Sequence, residues 1–145
     1  MASPDQGIKF SNMKESEEIT KGIRIQVKPH YSEEHSNQDD HEYVFSYQIK
    51  IQNESNQKVK LHSRKWVIIN GDGHREDVSG SGVVGQTPNI NPGDFFEYTS
   101  FCRLTTSWGT MEGSYEMHTE DDGFFDAKVG RFYLSIPVLS NLALK

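Results

Sequence analysis

Three glycines, Gly80, Gly82 and Gly85, give the stretch GSGVVG the spacing G-x-G-x-x-G. In dinucleotide-binding proteins that spacing brings backbone amides and a helix N-terminus against a pyrophosphate. Here Gln86 and Thr87 lead into Pro88, Pro92 follows, and residues 95–102 alternate as a strand does. Each proline removes a backbone donor and disfavours helix at the residue before it, so the fingerprint fails on its surroundings. Two roles remain for the loop. Its glycines supply positive φ angles and a side-chain-free path at a sheet end, with Val83 and Val84 anchored in the core, or its successive amides form an anion nest, which needs no helix. Arg64 belongs to the same question. It starts the strand that carries Trp66, where it can pair with an acid, stack on a ring, or offer its planar fork to an anion near the glycine loop. Gly80, Gly82, Gly85 and Arg64 are accordingly the candidate anion- or pyrophosphate-binding residues.

Other reactive side chains form weaker patterns. Glu33, Glu34, Asp39 and Asp40 crowd one loop and Glu120, Asp121 and Asp122 another, but neither set has the spacing of a calcium loop, and crowded carboxylates in loops read as solvated turns. His30, His35 and His41 suit a transition metal by type, without a spacing that fixes a geometry. The lone Cys102 alternates within a strand and reads as a small core residue rather than a nucleophile. No catalytic residue and no metal ligand is assigned, and no cofactor is expected.

The elements that must position these residues are strands. Ile23, Ile25 and Val27 alternate with polar residues until Pro29, which ends the strand or marks an edge. Tyr43, Phe45, Tyr47, Ile49 and Ile51 form the clearest strand. Val59 and Leu61 lead into WVIIN, NGDG at residues 70–73 closes a hairpin, and Phe96 to Cys102 and Met111 to Met117 repeat the two-residue period. A short strand begins at Phe124 or Phe125, and Phe132, Leu134 and Ile136 form the last. Eight or nine antiparallel strands with no amphipathic helix predict an all-β sandwich, with a closed barrel as the alternative. The expected organisation is a flexible arm over residues 1–20, one domain over 21–137 and a tail over 138–145.

At 145 residues the chain suits a single core. Its net charge of -6 opposes sequence-independent binding to nucleic acid. One cysteine excludes an internal disulfide, no apolar run suits a membrane span, and the N-terminus lacks a signal peptide's pattern. A cytoplasmic protein without membrane insertion is expected.

Together, LHSRKWVIINGDGHREDVSGSGVVGQTPNINPGDFFEYTS and GTMEGSYEM closely resemble the bacterial ApaG family, also called CorD. The likeness rests on Ser63, Arg64 and Trp66, the Gly80–Gly85 loop, Pro88, Pro92 and Gly93, the strand from Phe96 to Ser100, and Gly109 to Met117, and covers about residues 22 to 136. Gln86 stands where the family commonly has an acidic residue. The resemblance implies an immunoglobulin-like or fibronectin type III-like sandwich. It also implies a non-enzymatic module that binds a protein partner, with a link to cobalt resistance and magnesium efflux that names no ligand residue. A homodimer through a sheet edge is a further expectation, and a nucleotide or polyphosphate sensor or enzyme using the glycine loop is the alternative function.

Overall fold

Strict alternation at Ile23, Ile25 and Val27 becomes a strand whose apolar face is shut from water, and the same holds at Phe45, Tyr47, Ile49 and Ile51. Each such side chain contributes about 1.5–3 kcal/mol on full burial. The computed structural model describes residues 14–137. Among them run nine strands: β1 (Ser16–Thr20), β2 (Ile23–Tyr31), β3 (Tyr43–Asn53), β4 (Val59–Asn70), β5 (Arg75–Ser81), β6 (Asn89–Ile90), β7 (Phe95–Leu104), β8 (Trp108–Thr119) and β9 (Phe124–Ser135). One antiparallel sheet has the order β1-β2-β3-β7, and the other has β5-β4-β8-β9 with β6 added to β4. The core lies between them, centred on Ile25, Ile49, Leu61, Tyr115 and Phe132. This is the expected all-β sandwich.

Two boundaries differ from the sequence reading. Residues 16–20, assigned to the flexible arm, form edge strand β1, paired from Ser16↔Val27 to Thr20↔Ile23. Residues 1–13 and the tail over 138–145 lie outside the described residues. The two strands expected after Phe124 are one, β9, because Val129 and Phe132 both face inward at an odd spacing, which a register shift opposite Met111 and Gly113 accommodates. Pro29 does not end β2. It lies beyond β1's reach, where β2 pairs only with β3, so its missing N–H faces an unpaired edge.

A bulge in β4 sets the phase of everything that follows. Leu61 and Trp66 both face the core although their spacing is odd. The register against β8 shifts between Leu61 and Ser63, leaving His62 as the extra residue. It points outward, while Arg64 falls on the inner face with Trp66.

Candidate functional site

The sandwich is sewn along one side and open along the other. On the sewn side the Tyr133 N–H donates to the Lys14 carbonyl at 3.0 Å, and the Lys128 N–H to Thr20 Oγ1 at 3.1 Å. On the open side, edge strands β5 and β7 pair with no further strand among the described residues. A cleft of about 290 Å³ enters there between the sheets, lined by Tyr47, Arg64, Trp66, Ser81, Val83, Val84, Gly85, Tyr98 and Ser100.

Arg64 and the three motif glycines meet at this cleft, and each glycine has its own reason. Arg64 Nη1 donates to the carbonyls of Ser81 at 3.1 Å and Gly82 at 2.8 Å. Its guanidinium lies across Gly80, its register partner on β5, where a Cβ would stand 2.9 Å from Nη2. Gly82 has φ +62, and a Cβ there would stand 2.1 Å from the Gln86 carbonyl oxygen. Gly85, with φ +80, meets nothing and serves the turn alone. That turn is Val83–Val84–Gly85–Gln86: the Gln86 N–H donates to the Val83 carbonyl at 2.8 Å, and both central residues have positive φ, as in a type I′ turn. Val84 is an unusual occupant, a β-branched residue at φ 42 with half its surface exposed.

Part of the loop's amide supply is already committed. The Gly82 N–H donates to the carbonyl of His62, the bulge residue, at 2.8 Å, and the Val83 N–H to Gln86 at 2.8 Å. The cleft's means of holding an anion are therefore chiefly side chains. Arg24, Arg75 and Arg131 each hold a carboxylate, whereas Arg64 is in no ion pair among the described residues. The hydroxyl-bearing residues Tyr47, Ser81, Tyr98 and Ser100 line the same cleft. Burial pushes the phenols of Tyr47, Tyr98 and Tyr115 upward, and the positive charge of Arg64 pulls each of them back down. These three rings thus remain neutral donors within reach of an uncompensated cation. The Tyr98 and Tyr115 hydroxyls are 2.5 Å apart, which fixes the Tyr98 ring at the cleft wall. Sequence reasoning does not single out Tyr47, Ser81, Tyr98 or Ser100 as site residues; the meeting of Tyr47, Tyr98 and Ser100 depends on the pairing of β3 with β7, which periodicity does not reveal.

The other candidates fall apart or become structural. Glu33 and Glu34 lie in one exposed 3-10 turn (Glu33–His35), and Asp39 and Asp40 in a second (Gln38–Asp40). Asp121 braces the tip between β8 and β9 by accepting from Thr119 Oγ1. His35 contacts Ser32 Oγ at 2.7 Å rather than gathering with His30 and His41. Burial pushes the Cys102 thiol up to about 12, so it is neither nucleophile nor soft ligand at neutral pH. Sequence reasoning missed a different group on the outer face of the second sheet, His62, Glu116 and His118, which the pairing of β4 with β8 brings together.

The ApaG domain family model matches residues 33–119, a span running from the first 3-10 turn through β8 and including the whole cleft. Protein ApaG of Brucella canis is 43% identical over 119 residues, covering 82% of this chain and 92% of its own. Protein ApaG of Methylobacterium sp. (strain 4-46) is 45% identical over 118 residues, covering 81% and 91%. Among solved structures, the putative ApaA protein from Bordetella pertussis superposes with a TM-score of 0.78 at 38% identity, covering 79% of this chain and 94% of its own. A Northeast Structural Genomics Consortium target gives 0.77 at 42% identity, covering 81% and 89%. With the family model spanning more than half its length and relatives this similar over most of it, the chain belongs to the ApaG domain family.

Proposed function

We propose that the chain is a non-catalytic binding module whose receiving surface is the open side of the sandwich, and that a protein partner anchors a carboxylate or phosphate on Arg64. The observation that carries this reading is a guanidinium in a cleft shared with Tyr47, Ser81, Tyr98 and Ser100, bonded to two backbone carbonyls and in no ion pair among the described residues. A planar fork without a carboxylate suits bidentate contact with an anionic group. The flanking edges of β5 and β7 offer unpaired main-chain groups to an extended segment. The exposed Phe95 and Phe101 of β7 add apolar surface beside that edge, which also suits self-association. A cytoplasmic setting is proposed from the single cysteine, and an indirect effect on cobalt or magnesium levels from the family resemblance alone.

Free nucleotide or polyphosphate is the second reading of the same cleft. It is favoured by the combination of guanidinium and hydroxyls, which suits phosphoryl oxygens, and weakened by the commitment of the Gly82 and Val83 amides. NMR titration of the full chain with a phosphoserine peptide, an aspartate-rich peptide, pyrophosphate and ATP separates the two. Shifts at residues 81–85 and 98–100 with a peptide, abolished in Arg64→Gln, support the first; shifts with pyrophosphate and ATP alone support the second. No response to any of the four at millimolar concentration refutes both.

A further inference from the structure

On the outer face of the second sheet, His62, Glu116 and His118 bring one ligand atom each within 4.8 Å of the others. No other group of three His, Cys, Asp or Glu side chains does so among the described residues. Glu116 and His118 alternate with Tyr115 and Met117, both fully buried, so the pleat of β8 turns the two ligands outward together. His62 joins them from β4, as the outward extra residue between the buried Leu61, which pairs with Met117, and Ser63, which pairs with Glu116. Its position is secured by its own carbonyl, which accepts the Gly82 N–H at 2.8 Å. The three side chains therefore project from a backbone fixed to the core.

From this geometry we infer a binding site for a divalent transition metal of the zinc type, held by His62, Glu116 and His118. Glu116 Oε2 lies 2.6 Å from His118 Nε2 and 3.5 Å from His62 Nδ1. Ligand atoms about 2.0–2.2 Å from one ion stand roughly 3–3.5 Å apart, close to this spacing. Two imidazoles and one carboxylate suit zinc, cobalt, nickel or iron, while magnesium prefers oxygen ligands and retained water.

One rearrangement is required. The two imidazole rings are stacked, with centroids 4.3 Å apart and planes 7° from parallel. An ion lies in the plane of each imidazole it binds, so the rings must splay toward it, displacing the hydrogen bond between Glu116 and His118. Their exposure, 51% for His62 and 38% for His118, leaves room for that rotation. Lys65, whose charge reaches Glu116, and Lys60, the register partner of His118, oppose a cation here. Asp126, the exposed register partner of Glu116 on β9, offsets them. Three protein ligands leave positions for water, so the ion is exchangeable rather than a closed structural one.

Calorimetric titration of the full chain with Zn²⁺ is expected to show one ion per chain, with at least a tenfold loss of affinity in each of His62→Ala, Glu116→Gln and His118→Ala. The triple replacement of His30, His35 and His41 by Ala should leave it unchanged, and Mg²⁺ should give no response. Substituting Co²⁺ should broaden NMR signals around residues 62 and 116–118. Each variant's melting curve checks its fold, and His118→Gln replaces any that unfolds. Absence of Zn²⁺ binding at 1:1 stoichiometry, affinity within about threefold of the parent in all three ligand variants, or loss confined to the loop-histidine variant would overturn the assignment.

Discussion

Replacing Gly80 and Gly82 by alanine separates the two kinds of work in one motif. At Gly80 an added Cβ stands 2.9 Å from Arg64 Nη2 and 3.1 Å from Cζ, the far end of a flexible side chain. Gly80 is not among the positive-φ glycines, so no backbone strain accompanies the change. The guanidinium should swing away and lose its contacts to Ser81 and Gly82. Those contacts are partly solvated, so the cost to stability is expected at about 1 kcal/mol or less, a fall in Tm of roughly 5 °C at most. At Gly82 the obstacle is backbone: the Gln86 carbonyl at 2.1 Å from the new Cβ, with φ +62 besides. The left-handed conformation alone costs about 1–2 kcal/mol, and moving the turn brings the expected total to about 2–4 kcal/mol, or roughly 10 °C. Thermal melting measures both, and the Arg64 Nε–H NMR signal reports directly on the displaced side chain. If anion binding uses Arg64, Gly80→Ala should weaken it about tenfold or more while remaining folded, since a hydrogen bond to a charged group contributes about 1.5–3 kcal/mol. Equal destabilisation by the two substitutions, or an unmoved Arg64 signal in Gly80→Ala, would refute this account of the motif.

Val84→Asn should raise stability by about 1 kcal/mol, because asparagine accepts the left-handed first position of a type I′ turn far better than a β-branched residue; melting curves check it. Tyr98→Phe leaves the fully buried Tyr115 hydroxyl without its partner and should cost about 1–3 kcal/mol by urea denaturation. The double change Tyr98→Phe/Tyr115→Phe should cost less than the sum of the single ones. Alkaline pH should destabilise the fold. Burial raises the Cys102 thiol from 9.0 to about 12 and raises Tyr47, Tyr98 and Tyr115 above their ordinary 10.0. Above pH 9 the unfolded chain therefore loses protons that the folded chain keeps, and stability falls as pH rises through 9–12. Urea midpoints measured across that range check the slope, which should flatten in Cys102→Ser combined with Tyr98→Phe.

Long strands with one buried face were legible because the pleat writes itself into the sequence, as at Ile49 and Ile51 or Tyr115 and Met117. Strand β1 was not, since SEEIT has one strongly apolar residue, Ile19, and that one is exposed. β5 was hidden for the same reason: REDVSGS is charged, and its form comes from pairing with β4. At the cleft, Arg64 and the glycines were legible as a group, because their types point to one chemistry and a hairpin joins them. Tyr47 and Ser100 were not, since the sheet pairing that opposes Tyr47 to Ser100 is a long-range property. His62, Glu116 and His118 escaped for a sharper reason. A bulge has no sequence signature of its own, and the β4–β8 register that sets His62 beside Glu116 and His118 joins residues more than fifty positions apart in the chain.

That single extra residue also makes one particular shortening of β4 tolerable. Losing His62 would leave Leu61 and Arg64 two positions apart, the spacing of a regular pleat, so Arg64 would keep its place at the cleft and Trp66 its place in the core. What would go is the outward imidazole and the carbonyl that accepts the Gly82 N–H. Among descendants of this sequence the distance from Leu61 to Trp66 can therefore shorten by one residue without turning the core out, whereas one residue gained beside the bulge would put Arg64 and Trp66 on the wrong face.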